Sequence, residues 1–185
     1  MNLVQLFRQS MSLLLGGLLL FSSGCVHRVH VTPAPPAVSS ASHTQSIQVL
    51  VPFLAIEGAD HMPGIPLFEW PAQDLRNAAI DYIRSRHSFS SVGEEPADQT
   101  LIIKAWLTLR SRGRYHYRLR LEAAIGPQEK PPLASYMIEK EAIGSRVRWF
   151  TSSDQAPIAE AVQAAMDELL TRIETDPRVS QVTPR

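Results

Sequence analysis

Five arginines lie within an eleven-residue stretch in the second half of the chain, around a glycine turn. Arg110 and Arg112 precede the turn, and Arg114, Arg118 and Arg120 follow it. A planar guanidinium can bind a phosphate or carboxylate group through two parallel hydrogen bonds. The row therefore predicts an anion-binding patch that faces lipid headgroups, an anionic glycan or an acidic partner protein.

A second interpretation of the same row stays open. Glu139 and Glu141 lie on a later strand and could pair with Arg118 and Arg120 across the sheet, which would leave an ordinary solvated face. The chain as a whole has 18 basic and 18 acidic residues. Because this balance gives no general attraction to polyanions, nucleic acid is not an expected partner.

Two aromatic residues flanked by arginine form a second candidate site. Trp149 and Phe150 end the stretch "RVRWF", between the last strand and the last helix. Aromatic and arginine side chains together are typical of interaction hot spots and of membrane interfaces. The alternative is that one of the two rings packs at the start of the helix against the core.

The histidines do not predict a metal site. His27 and His30 have H-x-x-H spacing but lie in a proline-rich stretch without nearby carboxylates, and the other histidines are scattered. No nucleophile elbow, glycine-rich phosphate loop or paired-carboxylate pattern is present, so neither an enzyme nor a bound cofactor is expected. A catalytic triad assembled in space remains the alternative, since spacing cannot exclude it.

Residues 1–24 have the pattern of a signal peptide. Arg8 supplies a positive charge, residues 13–21 are apolar, and small residues follow at 22–24. The apolar run falls short of the roughly 20 residues that a transmembrane helix needs. A cleaved targeting segment is therefore expected, with an uncleaved N-terminal anchor as the alternative.

The only cysteine, Cys25, directly follows this segment in the sequence "SSGC". This stretch resembles the bacterial lipobox, with Ser22 where that pattern usually has leucine. The resemblance implies a thioether-linked diacylglycerol on Cys25 and an acylated new N-terminus. It also implies an outer-membrane location facing the periplasm, because Val26 replaces the aspartate that marks inner-membrane retention.

The mature chain divides into three parts by composition. Residues 25–45 are rich in proline and serine and predict a tether, whereas residues 46–176 alternate between strand and helix patterns. Residues 177–185 are expected to be a flexible tail. In the first strand, Ile47, Val49, Val51 and Phe53 are expected on one face.

The central part predicts an α+β domain of order β-α-β-β-β-α. The strands are "SIQVLVPFLA", the two arms of "QTLIIKAWLTLRSRGRYHYRLRLEAAIG" and "PLASYMIEKEAIG", and the helices are "WPAQDLRNAAIDYIRSR" and "DQAPIAEAVQAAMDELLTRIETDP". Asp154 is expected to cap the second helix. Each helix has one apolar stripe, so we expect a mainly antiparallel sheet with both helices packed on one face.

The stretch "FEWPAQDLRNAAIDYIRSRHSFSSV" contains Trp70, Gln73, Leu75, Arg76 and Asn77 at the entry to the first helix. Together with "ADQTLIIKAWLTL" and "PIAEAVQAAMDELLTRI", it resembles the auxiliary lipoproteins of ABC-type transport systems, including those of MCE-type lipid-transport operons. The resemblance departs near the start, where those proteins usually carry a tyrosine-rich strand. It implies a non-enzymatic adaptor that docks protein components of an intermembrane lipid transporter.

The opening strand "QVLVPF" also resembles other lipoproteins, found in exopolysaccharide export, curli secretion and peptidoglycan-synthase activation. A lipopolysaccharide-assembly lipoprotein shares a similar order of elements. These alternatives stay open, and all of them imply an accessory protein tethered to the outer membrane that serves envelope transport or assembly.

Overall fold

The computed structural model describes residues 27–31, 33, 43–58, 68–93, 96–111, 113–146 and 154–180. Within them the elements are β1 His27–Arg28, β2 His43–Gly58, β3 Phe68–Glu69, α1 Ala72–Arg86, β4 Phe89–Val92, β5 Gln99–Ser111, β6 Tyr115–Gly126, β7 Ala134–Ile143, α2 Gln155–Thr175 and α3 Pro177–Ser180. Five strands form one sheet in the order β4-β2-β5-β6-β7. Helix α1 packs on β2 and β4, and α2 packs on β6 and β7, which confirms the α+β class.

The sheet is mixed rather than mainly antiparallel. Strand β2 pairs in parallel with both β4 and β5, whereas β5, β6 and β7 pair antiparallel. Helix α1 is the crossover that returns the chain from β2 to the parallel strand β4. Strand β4 was not predicted because it is only four residues long and two of them are serine, so it carries little hydrophobic periodicity.

A bulge divides β2 into two halves. The register with β5 shifts between Leu50 and Phe53, around Pro52, which has no N–H to donate to the ladder. Beyond the bulge, Leu54 and Ile56 pack against the core. Phe53 is therefore displaced to the opposite face, 43% exposed, and the expectation that it shares a face with Ile47 and Val49 is wrong.

The core lies between the helices and one face of the sheet. Strands β5 and β6 alternate as the sequence predicts, and their inward side chains are fully buried. The apolar stripes of the two helices cover this face of the sheet, α1 over β2 and β4 and α2 over β6 and β7. Their buried positions include Leu75, Ala79, Ile83, Ile158, Val162, Ala165, Met166, Leu169 and Ile173. This double cover fixes one sheet face as the interior, and none of the described helices packs on the other face.

Part of the range predicted as a tether belongs to the folded domain. Strand β1 pairs with β3, and Val29 and Val31 are buried in the core. The physical reason is visible in the sequence, since these valines alternate with the polar Arg28 and His30 as in a half-buried strand. Strand β2 also begins at His43, three residues before the predicted boundary.

The C-terminal stretch also differs from its prediction. Residues 177–180 form the short helix α3, whose Val179 is fully buried, so the start of the predicted flexible tail packs onto the domain. Asp154 precedes α2 but makes no capping hydrogen bond with its side chain. Its carboxylate instead accepts a hydrogen bond from the buried Tyr117 hydroxyl, which ties the start of α2 to β6.

Candidate functional site

The candidate residues fall into two groups. Cys25, Arg112, Trp149 and Phe150 lie outside the described residues. The other four, Arg110, Arg114, Arg118 and Arg120, lie on or beside the hairpin of β5 and β6. Arg110 lies opposite His116 in the strand register, one outward position from Arg118, so the pair near the turn and the pair along β6 adjoin each other.

The sheet face opposite the helices, which we call the open face, is lined by both charged and apolar side chains. Its main members are Leu50, Phe53, Ile102, Lys104, Trp106, Arg118, Arg120, Glu122, Met137, Glu139 and Glu141. The covered face of the same strands is almost wholly apolar. Two chemically different surfaces thus share one sheet.

The arginines of the open face are paired. Arg118 forms an ion pair with Glu139 on β7, as one of the two sequence interpretations expected. Arg120 pairs with Glu122 on its own strand instead, and its guanidinium lies 5.2 Å from the centre of the Trp106 ring. These contacts neutralise this part of the predicted anion-binding row and hold the tryptophan in place.

The arginines near the turn are in a different environment. Arg110 and Arg114 are exposed, and within the described part of the chain neither makes an ion pair. Gly113, with φ of +74°, permits the turn between them. His116, the second residue of β6, contacts the Glu141 carboxylate through its Nδ1 atom at 2.6 Å. The available positive charge is therefore concentrated at the tip of the hairpin.

An apolar patch occupies the part of the open face around β2 and β5. Leu50 and Ile102 are each 37% exposed and Phe53 is 43% exposed. The Phe53 and Trp106 rings contact each other with centroids 5.3 Å apart. Sequence reasoning missed this patch, although Ile102 and Trp106 occupy the outward positions of β5, where a solvated strand would carry polar residues.

Two adjoining depressions extend this patch towards the end of the hairpin far from the turn. One has a volume of about 350 Å³ and is lined by Lys104, Glu122 and the exposed Met137 among others. The second is about 230 Å³, and both share Ile102 and Ala124. They form a shallow groove that has apolar side chains along it and carries two lysines and two glutamates, which suits the docking of an apolar side chain with polar neighbours.

A partly buried ion-pair cluster, which we call the helix clamp, connects the C-terminal parts of α1 and α2. The Arg86 guanidinium binds Glu174 at 2.8 Å and Asp167 at 2.9 Å, and Ser88 also donates to Glu174. The side chains of Arg86 and Glu174 are 11% and 7% exposed. Hydrogen bonding to Glu174 raises the pKa of Arg86, so the pair stays charged and fixes the two helices together.

His43 and Tyr82 lie beside the clamp and are neutral near pH 7. Burial lowers the pKa of His43, with Glu174 acting in the opposite sense, and the imidazole stacks on Phe89 at 5.0 Å. Burial, with nearby Asp167, raises the pKa of Tyr82. These groups are packed around a structural ion pair rather than arranged around an open cleft.

The described residues contain no group of three or more histidine, cysteine or acidic side chains placed to hold a metal ion. His30, half of the H-x-x-H pair, contacts the Asp74 carboxylate on α1 at 2.9 Å. Among the helices that the structure describes, none is both long enough and apolar enough to cross a bilayer.

No protein-family model matches this chain, and no curated protein matches it significantly. Among solved structures, the chain is similar to a Xanthomonas campestris protein of the family DUF330. The TM-score is 0.52 at 17% identity, and the alignment covers 77% of this chain and 89% of that one. This likeness shows a common fold and nothing about activity.

Two weaker similarities are to proteins from other bacteria. A minor lipoprotein from Acinetobacter baumannii has a TM-score of 0.43 at 8% identity, covering 65% of this chain and 91% of that one. A hypothetical protein from Chlamydia trachomatis has a TM-score of 0.46 at 10% identity, covering 71% of this chain and 96% of that one. At these values neither carries an argument about this chain.

Proposed function

We propose that this protein is a periplasmic lipoprotein, anchored in the outer membrane through Cys25, and that it serves as an accessory adaptor of an envelope transport system. The anchor is supported by the sequence "SSGC" directly after an apolar segment that follows Arg8. Several acyl chains on one residue hold a protein on a membrane far more firmly than a single chain.

The adaptor role is supported by the open face. It combines an exposed apolar patch, a shallow groove and ordered ion pairs on a rigid five-stranded sheet. An apolar patch rimmed by polar groups is the usual character of a protein-docking surface. Among transport systems we favour intermembrane lipid transport, because the stretch from Phe68 to Val92 resembles that of the auxiliary lipoproteins.

The anchor is tested by replacing the thiol. Cys25→Ala should move the protein from the membrane fraction to the soluble periplasmic fraction, while Ser23→Ala, which keeps a small residue before the cysteine, should leave it in the membrane. Mass spectrometry of the N-terminal peptide should find acyl groups only where Cys25 is present. Unchanged fractionation of Cys25→Ala would refute the lipoprotein proposal.

The docking role is tested by site-specific photo-cross-linking in intact cells. A photoreactive amino acid at Met137, on the open face, should capture a permease or an MCE-type component, identified by mass spectrometry. The same probe at Thr171, an exposed position of α2, is the matched control and should not capture these components. Capture of a polysaccharide-export protein or a peptidoglycan synthase would assign the adaptor to that system instead, and equal capture at both positions would contradict docking by the open face.

A further inference from the structure

One end of the sheet lies at the turn between β5 and β6, and several segments of the chain meet there. Strands β2 and β5 are parallel, with Gly58 beside Leu109, so both end next to the turn that joins β5 to β6. The segment after β7 reaches the same place, since the Tyr115 N–H donates to the Ser145 carbonyl at 3.0 Å. We call this the turn end of the domain.

Strand β1 is attached on the side of this turn end. Helix α1 follows β2 and runs back along it, so its C-terminus lies near the start of β2, where β4 pairs with His43. Its N-terminus points towards the turn end and lies beside the middle of β2, because Arg76, in the second turn of α1, donates to the Val49 carbonyl at 2.9 Å. His30 contacts Asp74 in the first turn of α1, and the Val29 N–H donates to the Glu69 carbonyl at 2.9 Å.

This attachment changes the reach of the proposed anchor. Cys25 lies two residues before β1, and two extended residues span at most about 7 Å. If residues 25–45 were a free polyproline-like tether, the domain could stand about 60 Å from the anchor. The burial of Val29 and Val31 removes nearly all of that length, because the chain is bound to the domain before the proline-rich stretch begins.

The charge at the turn end matches an anionic surface. Arg110, Arg114 and Arg146 are exposed there alongside the exposed Glu57, and among the described residues none of the three arginines makes an ion pair. The loop at the opposite end, between β6 and β7, carries Glu129 and Lys130, whose charges cancel. Basic groups near a membrane surface are each attracted to anionic lipids by about 1 kcal/mol.

We propose that the turn end of the domain rests directly on anionic lipid headgroups of the membrane that holds Cys25. The arginines near the turn bind lipid phosphates, and the open face stands roughly perpendicular to the membrane, accessible to a protein partner. This inference rests on the proposed lipid anchor and adds the orientation and the lipid contact.

The orientation is tested by energy transfer between the lipidated full-length protein and a headgroup acceptor in vesicles of phosphatidylethanolamine and phosphatidylglycerol. A donor dye is attached at Ser111→Cys, near the turn, or at Lys130→Cys, at the opposite end; both positions are exposed, and in the lipidated protein the Cys25 thiol is blocked by its thioether to diacylglycerol. Because β6 separates them by about 40 Å, transfer from position 111 should be clearly higher. Equal transfer, or higher transfer from position 130, would overturn the proposal.

Two spacer variants test the short reach of the anchor. A fifteen-residue Gly/Ser spacer between Cys25 and Val26 adds about 20 Å and should lower transfer from position 111. The same spacer between Val38 and Ser39 should leave that transfer unchanged, because β1 still holds the domain. Equal losses from both spacers would mean that β1 does not bind the domain close to the anchor.

Charge reversal tests the headgroup contact itself. Arg114→Glu together with Arg146→Glu should lower transfer from position 111 in vesicles with phosphatidylglycerol, and the loss should be absent in pure phosphatidylcholine. Lys130→Glu is the matched control and should have no effect. Unchanged transfer after the double reversal would refute the contact. A protein that carries no acyl groups and leaves the vesicles would instead refute the proposed function.

Discussion

The two faces of the sheet use the same strands for opposite purposes. On the covered face, side chains such as Leu121 and Leu107 are completely buried in the core. On the open face, one residue along, Arg120 and Trp106 lie against each other beside exposed apolar groups. Alternate residues of one strand thus belong to the hydrophobic core and to a candidate binding surface.

This difference separates stability from recognition. Helix packing and the helix clamp act on the covered face, so changes there should lower the free energy of unfolding. The open face carries surface ion pairs, which contribute little to stability, and its apolar patch is already partly solvated in the folded state. Variants of the open face should therefore affect binding while the fold remains intact.

The largest difference is expected from two leucines on opposite faces of the sheet. Leu121→Ala, in β6, removes a fully buried side chain and should lower the free energy of unfolding by about 2–5 kcal/mol. Leu50→Ala, in β2, removes a side chain that is 37% exposed and should cost clearly less. Urea denaturation measures both. Equal losses would show that the open face is also covered in the folded protein.

A smaller difference is expected from two glutamates that both bind arginine. Glu174→Ala breaks the nearly buried pair with Arg86 and should cost about 2–3 kcal/mol, because Asp167 still compensates part of the arginine charge. Glu139→Ala breaks the exposed pair with Arg118 and should cost about 0–1 kcal/mol. The same denaturation experiment checks them. A costly Glu139→Ala would mean that the open-face ion pairs form a stabilising network.

The sequence predicts the parts of this comparison that depend on local periodicity. The hairpin of β5 and β6, the strand β7 and both long helices follow from apolar spacing, and the pairing of Arg118 with Glu139 follows from strand alternation. The open-face patch could also have been read from Ile102 and Trp106, whose outward positions are apolar.

Other features depend on contacts between distant parts of the chain. The helix clamp joins Arg86 to Glu174, which are 88 residues apart, and no local pattern brings them together. The bulge at Pro52 reverses the side-chain alternation of β2, so a strict period of two places Phe53 on the wrong face. Strand β1 is too short to be recognised without its partner β3.

The smallest expected effect, per pH unit, is on the pH dependence of stability. Burial lowers the pKa of His43, and its Nε2 has no hydrogen-bond partner among the described residues, so the folded state disfavours the imidazolium. Between the folded pKa and the ordinary value of about 6.5, the unfolded chain binds more protons at this residue. Stability should therefore fall as the pH drops from about 7 to 5, by at most about 1.4 kcal/mol per pH unit.

His43→Gln should flatten this slope, as measured by thermal unfolding in buffers between pH 5 and pH 7. Asp176 is the comparison, because hydrogen bonds from Arg178 hold the pKa of its carboxyl well below the usual range. Its contribution is present above the unfolded value of about 3.9 and is lost as the pH falls further, so Asp176→Asn should change the slope only in the acid range. If His43→Gln left the slope between pH 5 and pH 7 unchanged, this histidine would not cause the loss of stability in mild acid. That result would contradict the claim that burial beside the helix clamp keeps the imidazole neutral.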